Sequence, residues 1–419
     1  VADDTFELEL TAMAHGGSAL GRHVKQTIFV PYTIPGERIL ARIIQDKGRI
    51  AFAEGVQLIE ASADRVFPRC PHFGPGRCGL CHWQHIDYAA QLLLKQDVLA
   101  DQLARVGDFD DATIEAAVKP VIPSPSQWGY NYHMTFETRL SDSNSPPFLG
   151  FPSADGRGIV GINECHVLHP DLLALYDTLD LDFGGARRVK LQLGTDGAHM
   201  IILTMNSEDA PELEIDLPTS VNILLPDNEP VNLIGESNSR YQLGERTFRI
   251  TAGGYFRANV AQLDTLAATV IGGLELSGSE KVLDLYAGVG FFSAFLAERC
   301  QLVTMIESYP PAVTDAETNL SEFDNIDIIE GSVEDVLPML EDRYDAAVLD
   351  PPPDGLSVEV MDTLAKTKVQ RLVYVSSDAA TLARDGKRLT QQGYRLMNAQ
   401  PIDLAPQTYH IDTVATFVR

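Results

Sequence analysis

Three of the five cysteines crowd into one short run, Arg69-Cys-Pro-His-Phe-Gly-Pro-Gly-Arg-Cys-Gly-Leu-Cys-His-Trp-Gln-His. Cys70, Cys78 and Cys81 stand in a C-x7-C-x2-C pattern on a Gly- and Pro-rich loop. Thiolates this close can wrap a metal centre, with Gly and Pro supplying the turns. A fourth ligand is needed, and the candidates are Cys165, in Asn163-Glu-Cys-His-Val-Leu, and His72, His82 or His85. Zinc accepts four thiolates or three with an imidazole, whereas an iron–sulfur cluster prefers four thiolates. Spacing alone does not separate them. An odd cysteine count argues against a disulfide framework. Cys300 stands apart and is expected to be a small buried side chain.

A second constellation lies in Lys281–Leu296, KVLDLYAGVGFFSAFL. Val282, Leu283 and Leu285 make an apolar strand with Asp284 inside it. Tyr286-Ala-Gly-Val-Gly turns the chain through Gly288 and Gly290, and a helix is predicted from Phe291 to Ala297. Strand, glycine turn and helix is how an open α/β sheet presents a nucleotide-like ligand, since glycine permits close backbone approach and a helix start favours polar groups. A second apolar strand, Val303–Ile306, ends in Glu307, about twenty residues on, where such folds bind ribose hydroxyls. The spacing suits S-adenosylmethionine or a dinucleotide. Asp350, in Asp-Pro-Pro-Pro-Asp-Gly, and Ser376-Ser377 close two further strands at the same sheet edge.

These residues must be positioned by several units. At 419 residues, two to three domains are expected, and 45% hydrophobic content is ample for their cores. No run of 18 apolar residues exists, so no membrane span is expected. Val1-Ala-Asp-Asp-Thr lacks the basic and apolar regions of a secretory signal, so a cytoplasmic location is expected. The net charge of −27 argues against loose, charge-driven binding of polyanions. Between Asp284 and Asp362 only Arg299 and Arg343 are basic.

Residues 1–60 alternate in short stretches around Gly16-Gly17-Ser18 and Ile34-Pro-Gly-Glu, which predicts a small β-barrel. Residues 61–255 form a central α+β unit. It holds the cysteine loop, a helix over Asp87–Val106, a Pro/Ser linker at Pro120–Gln127, aromatic strand-like residues at Trp128–Leu140, a polar loop at Ser141–Pro147, and antiparallel strands at Val189–Asn206 and Ser220–Leu225. Residues 256–419 alternate strand and helix, which predicts a doubly wound parallel sheet with a late antiparallel hairpin. The fold class is thus α/β plus β.

Taken together, these pieces resemble the S-adenosylmethionine-dependent RNA uracil-C5 methyltransferases that carry an iron–sulfur cluster. Gly16-Gly-Ser-Ala-Leu-Gly-Arg and Phe29-Val-Pro…Pro35-Gly-Glu resemble that family's RNA-binding TRAM barrel. Arg69–His85 with Gln91 and Lys95 resembles its cluster segment. Val282-Leu-Asp-Leu-Tyr-Ala-Gly-Val-Gly resembles its cofactor motif, and Leu349-Asp-Pro-Pro its Asp-Pro-Pro-Arg motif. Tyr374-Val-Ser-Ser-Asp is similar to its nucleophile segment, and Tyr409-His-Ile-Asp-Thr-Val to its base segment. The resemblance implies a class I methyltransferase sheet and a 4Fe-4S cluster on Cys70, Cys78, Cys81 and Cys165. It implies a cofactor site of Arg257, Asp284, Tyr286, Gly288, Gly290, Phe291, Glu307, Ser332 and Asp350, catalytic positions at Asp350, Ser377 and Asp412, and tRNA or rRNA as partner.

The chain departs from that pattern where the chemistry is done. Ser377 stands where the family has its cysteine, followed by Asp378-Ala379 instead of Asn-Pro. Asp412 replaces a glutamate, Asp354 fills out a motif that has lost its arginine, Arg257 replaces a glutamine, Phe291 an asparagine and Ser332 an acid. The cysteine spacing is two residues longer, and Tyr130-Asn-Tyr-His-Met lacks the family's basic residues. The family's thiolate adds to uracil C6 so that C5 can take the methyl group. A thiol of pKa about 8.5 can do this at neutral pH, and an unactivated hydroxyl cannot. Two functions are therefore expected in competition. One is a methyltransferase that does not use the cysteine route. The other is a pseudoenzyme that binds RNA or a protein partner.

Overall fold

The computed structural model describes residues 5–139, 148–179, 185–209 and 216–419. The polar loop expected at Ser141–Pro147 lies outside them. Five strands, Thr5–Met13, Ala19–His23, Gln26–Val30, Arg38–Asp46 and Ile50–Glu60, close into a barrel in the order first, second, third, fifth, fourth. Alternation puts Leu8, Leu10, Ile28, Val30 and Ile39 inside, with Ala41, Ala51 and Ala53 filling the narrow positions. Gly21 is required by closure, because a Cβ there would sit 2.1 Å from the carbonyl oxygen of Glu9.

The central unit is built on seven strands in the order Pro230–Ile234, Thr219–Leu224, His199–Met205, Ala186–Leu193, His133–Arg139, Phe148–Pro152, Ile159–Gly161. It is not wholly antiparallel as expected. His199–Met205 and Thr219–Leu224 run parallel. Alternation within a strand carries no information on its neighbour's direction, which is set by the connection between them. The Pro/Ser stretch is not a free linker either. Lys119 and Ile122 donate backbone N–H groups to Ala399 and Pro401 (3.0 and 2.9 Å), and so cover the edge of the C-terminal sheet.

That sheet has the order Ile326–Glu330, Leu302–Glu307, Lys281–Leu285, Ala346–Leu349, Arg371–Ser376, Asp412–Val418, Arg395–Ile402. The first five strands are parallel, and Asp412–Val418 runs antiparallel to both neighbours. The strand order reverses between Lys281–Leu285 and Ala346–Leu349, where open α/β sheets bind their ligands. Helices Asp111–Ala117 and Val358–Thr367 were not legible in the sequence pattern. Helix Tyr88–Arg105, capped by Asp87 accepting from the Ala89 amide, packs on the C-terminal unit and merges its core with the barrel's.

Candidate active site

Strand Lys281–Leu285 delivers the chain into a turn where Tyr286, Gly288 and Gly290 all have positive φ, of 62°, 56° and 80°. At Gly290 a Cβ would come within 2.6 Å of Leu320, so helix Phe291–Leu296 packs this closely only because the residue is glycine. The turn is fastened by Glu307. One carboxylate oxygen accepts the Gly288 amide at 2.8 Å, and the other accepts the amides of Ser308 and Tyr309, both at 2.8 Å. Asp284 is fully buried beneath the turn and accepts the Ser293 hydroxyl at 2.6 Å. Its other oxygen has no partner among the described residues. Burial, partly opposed by Ser293, pushes its carboxyl up to about 7.

At this switch point lies a cavity of about 470 Å³, lined among others by Tyr255, Arg257, Tyr286, Gly288, Phe291, Glu307, Tyr309, Asp350 and Ser377. Both carboxylate oxygens of Asp350 accept from the Arg257 guanidinium, at 2.9 and 2.7 Å. The pair is mostly buried, with 11% and 17% side-chain exposure. A two-pronged Arg–carboxylate pair of this kind fixes geometry as well as charge. Arg257 thus holds rigid the acid that ends Ala346–Leu349. No hydrogen bond ties the Ser377 hydroxyl to a base among the described residues. The nearest histidine–acid pair is His15 Nε2 with Asp378 Oδ2 at 3.2 Å, and it engages the residue after Ser377.

Seven of the residues singled out in the sequence therefore share one cavity, namely Arg257, Tyr286, Gly288, Phe291, Glu307, Asp350 and Ser377. Asp284, Gly290, Ser332 and Asp412 are not on its wall. Asp284 and Gly290 shape the turn from behind. Ser332 caps the short helix Val333–Val336 by accepting the Asp335 amide at 3.1 Å. Asp412 opens the antiparallel strand, and burial pushes its carboxyl up to about 6 while Arg257 and Lys95 pull the other way. Tyr255 and Tyr309 line the cavity without having been singled out; each lies two residues from a residue that was, Arg257 and Glu307 respectively.

A larger cavity, about 720 Å³, opens between the barrel loop Gly16–Ser18, the cysteine loop at Leu80 and His82, the central strands at Thr135 and Arg188, and Tyr409. Cys70, Cys78, Cys81 and Cys165 all line a third, narrow pocket, with His72 and His166 beside them. His82 and His85 point elsewhere, His82 against the Tyr409 ring at 4.3 Å and His85 against Phe73 at 5.6 Å. His72 is bonded to Asn163 at 2.6 Å. The loop is drawn in by Cys70 N–H to Gln84 Oε1 at 3.0 Å and Cys78 N–H to the His72 carbonyl at 3.0 Å. Burial raises the pKa of all four thiols, that of Cys165 to about 11. The four thiols line one pocket, two of them buried, and form a donor set that a bound metal centre would deprotonate. Among the described residues no group of three or more His, Cys, Asp or Glu side chains is arranged to hold a metal ion. Cys300 is buried in the core of the C-terminal unit, as its apolar setting indicated.

The Methyltransferase small domain family matches residues 249–386, from the end of strand Arg246–Thr251 through the five parallel strands of the switch-point sheet. An uncharacterized RNA methyltransferase of Streptomyces coelicolor is 32% identical over 98% of this chain and 92% of its own length. Another, of Halalkalibacterium halodurans, is 30% identical over 99% and 96%. The chain belongs to this family of RNA methyltransferases. In architecture it is similar to the tRNA (uracil-54, C5)-methyltransferase of Pyrococcus abyssi, solved with S-adenosyl-L-homocysteine, with a TM-score of 0.73 across 98% of this chain and 99% of that one at 23% identity. That likeness covers the barrel, the central unit and the C-terminal sheet alike.

Proposed function

We propose that this chain transfers the methyl group of S-adenosylmethionine to RNA on the scaffold of a uracil-C5 methyltransferase, without the covalent step of that family. The observation that carries the proposal is the switch-point cavity, where the glycine turn, Glu307, Asp350 and Ser377 face one space of about 470 Å³. In this reading Gly288 and Glu307 take the nucleoside half of the cofactor, and Asp350 and Ser377 the acceptor base. Ser377 has no activating base, so it contacts the acceptor instead of adding to it. The acceptor atom is then one that is nucleophilic by itself. Its electron pair forms the new bond to carbon, the sulfonium sulfur leaves with the old pair, and the proton passes to a carboxylate. The carboxylates that stand on the cavity wall to take it are Glu307 and Asp350, while Asp412, its carboxyl pushed up to about 6, lies behind the wall.

The TRAM-like barrel and the 720 Å³ cleft form the RNA entry in this reading, with tRNA or rRNA as the substrate class. The four cysteines would hold a 4Fe-4S cluster, whose contribution is to cross-link the 70–81 loop to the Cys165 turn. Calorimetry with S-adenosylmethionine tests the cofactor, and heat at sub-millimolar ligand is expected. Tritiated-methyl transfer to bulk RNA tests the reaction, with label expected in a product other than 5-methyluridine. A covalent adduct with 5-fluorouridine RNA should form with Ser377→Cys/Asp412→Glu and not with the unaltered chain. Absence of any heat would overturn the enzyme in favour of a cluster-stabilised binding protein.

A further inference from the structure

One polar stripe of helix Tyr88–Arg105 is buried without belonging to either cavity. Tyr88, Gln91 and Lys95 are spaced to share a face, and all three reach the C-terminal segment that precedes Asp412. Tyr88 donates its hydroxyl to Asp403 at 2.9 Å. Lys95 Nζ donates to Asp403 at 2.6 Å and to the Ala405 carbonyl at 3.1 Å. Gln91, fully buried, accepts the Gln407 amide at 3.1 Å and donates to the Gln407 side chain at 3.0 Å. The same Gln91 nitrogen lies 3.1 and 2.9 Å from the carbonyls of Trp83 and Ile86, in the cysteine loop. The loop in turn donates the amides of His82 and Trp83 to the Gln407 carbonyl, both at 3.0 Å.

A closed ring of hydrogen bonds thus joins loop, helix and C-terminal segment, and Cys81 is the immediate neighbour of His82. Gln407 sits at φ 68°, a conformation that is strained for a non-glycine residue and persists only when its surroundings impose it. Residues 67–87 form no helix or strand of their own, and besides this ring the loop is held at Cys78 and Gly79 against Ser153 and Pro152. Five residues beyond Gln407 comes Asp412, faced by Arg257, Lys95, Asp350 and Asp403.

We propose that Gln91 is a positioning residue that ties Asp412 to the state of the cysteine loop. With the thiols bridged, His82 and Trp83 hold Gln407 in its left-handed turn and Asp412 stays recessed among those four charged groups. With the thiols free, the ring opens, Gln407 relaxes and Asp412 moves toward water. The inference rests on the metal-centre reading above, and it does not depend on methyl transfer.

The test uses the full chain and compares hydrogen exchange of peptides covering 403–412 and 288–296 in wild type, Gln91→Ala, Gln91→Glu, Cys81→Ser and the Gln91→Ala/Cys81→Ser double variant. Gln91→Ala is expected to speed exchange at 403–412 about tenfold and leave 288–296 unchanged. Gln91→Glu, which keeps the acceptor for the Gln407 amide, should recover part of the protection. Cys81→Ser should reproduce the effect alone and add little on top of Gln91→Ala. Aspartate ¹³Cγ titration, assigned with Asp412→Asn, should show the Asp412 midpoint dropping toward the ordinary carboxylate range in Gln91→Ala. If Gln91→Ala also loosens 288–296, Gln407→Asn, which tolerates the left-handed turn but cannot reach Gln91 in the same way, carries the same comparison. Metal analysis of the wild type separates the two ideas. Metal-free protein sinks the metal-centre reading, whereas metal-loaded protein in which Cys81→Ser leaves 403–412 unchanged, or adds fully to Gln91→Ala, overturns the coupling.

Discussion

In the switch-point cavity Arg257 holds Asp350 in a bidentate pair. Removing one partner leaves the other desolvated, so Arg257→Ala is expected to cost about 2 to 4 kcal/mol of stability. Chemical denaturation of the two single variants and Arg257→Ala/Asp350→Ala should show the double variant less destabilised than the sum of the singles. Asp284 sets a second expectation. Its folded carboxyl is held near 7 by burial, above the usual value of 3.8. Above the unfolded value the native state keeps a proton that the unfolded chain has lost, so stability falls as pH rises from about 4 to about 7 and then levels. Asp284→Asn keeps an acceptor for Ser293 and removes the ionisation. Its melting temperature at pH 8 should exceed that of the wild type, by an amount reflecting on the order of 4 kcal/mol, and the two curves should converge near pH 4.

At the scale of elements, the barrel and the methyltransferase sheet meet through His15 and Asp378. Asp378 also caps helix Ala379–Gln391 by accepting the Thr381 amide at 2.8 Å. The Asp378 hydrogen bond raises the His15 pKa, and His15 with Thr381 helps hold the Asp378 carboxyl down near 2 despite its partial burial. A histidine raised in the folded state contributes its stability below its unfolded value of 6.5, and loses it as pH rises through the folded value. Protection of the barrel loop 14–18 from hydrogen exchange should therefore decline from pH 6 to pH 8.5. In His15→Gln that pH dependence should vanish, while the helix cap persists. Asp378→Ala should cost about 1 kcal/mol more than His15→Gln, because it removes the cap as well.

Across the whole molecule the charge of −27 limits how RNA can be held. A chain that neutralises few phosphates shows weak salt dependence. For single-stranded RNA a slope of log K against log salt no steeper than about −3 is expected, which corresponds to roughly four phosphates. A filter-binding titration across salt concentrations measures it, and a much steeper slope would overturn this expectation. Much of the architecture was legible beforehand because it rests on short-range pattern. Glycine spacing announced the turn after Leu285, alternation announced the barrel, and β–α alternation announced the doubly wound sheet. The helices Asp111–Ala117 and Val358–Thr367 escaped because one is short and the other follows a proline run. The parallel central pair escaped because strand direction is not written in alternation.

The sequence by itself determined which residue types stand at the nucleotide turn, at the acid positions and in the cysteine run, because strands, turns and caps are set by residues a few places apart. Only the tertiary structure decided that Arg257 locks Asp350, that His15 meets Asp378, and that Gln91 holds Gln407 across a separation of 316 residues. Such contacts depend on how the barrel, the central sheet and the C-terminal sheet pack against one another. Side-chain periodicity fixes which face of an element is buried, but not which distant element that face will meet.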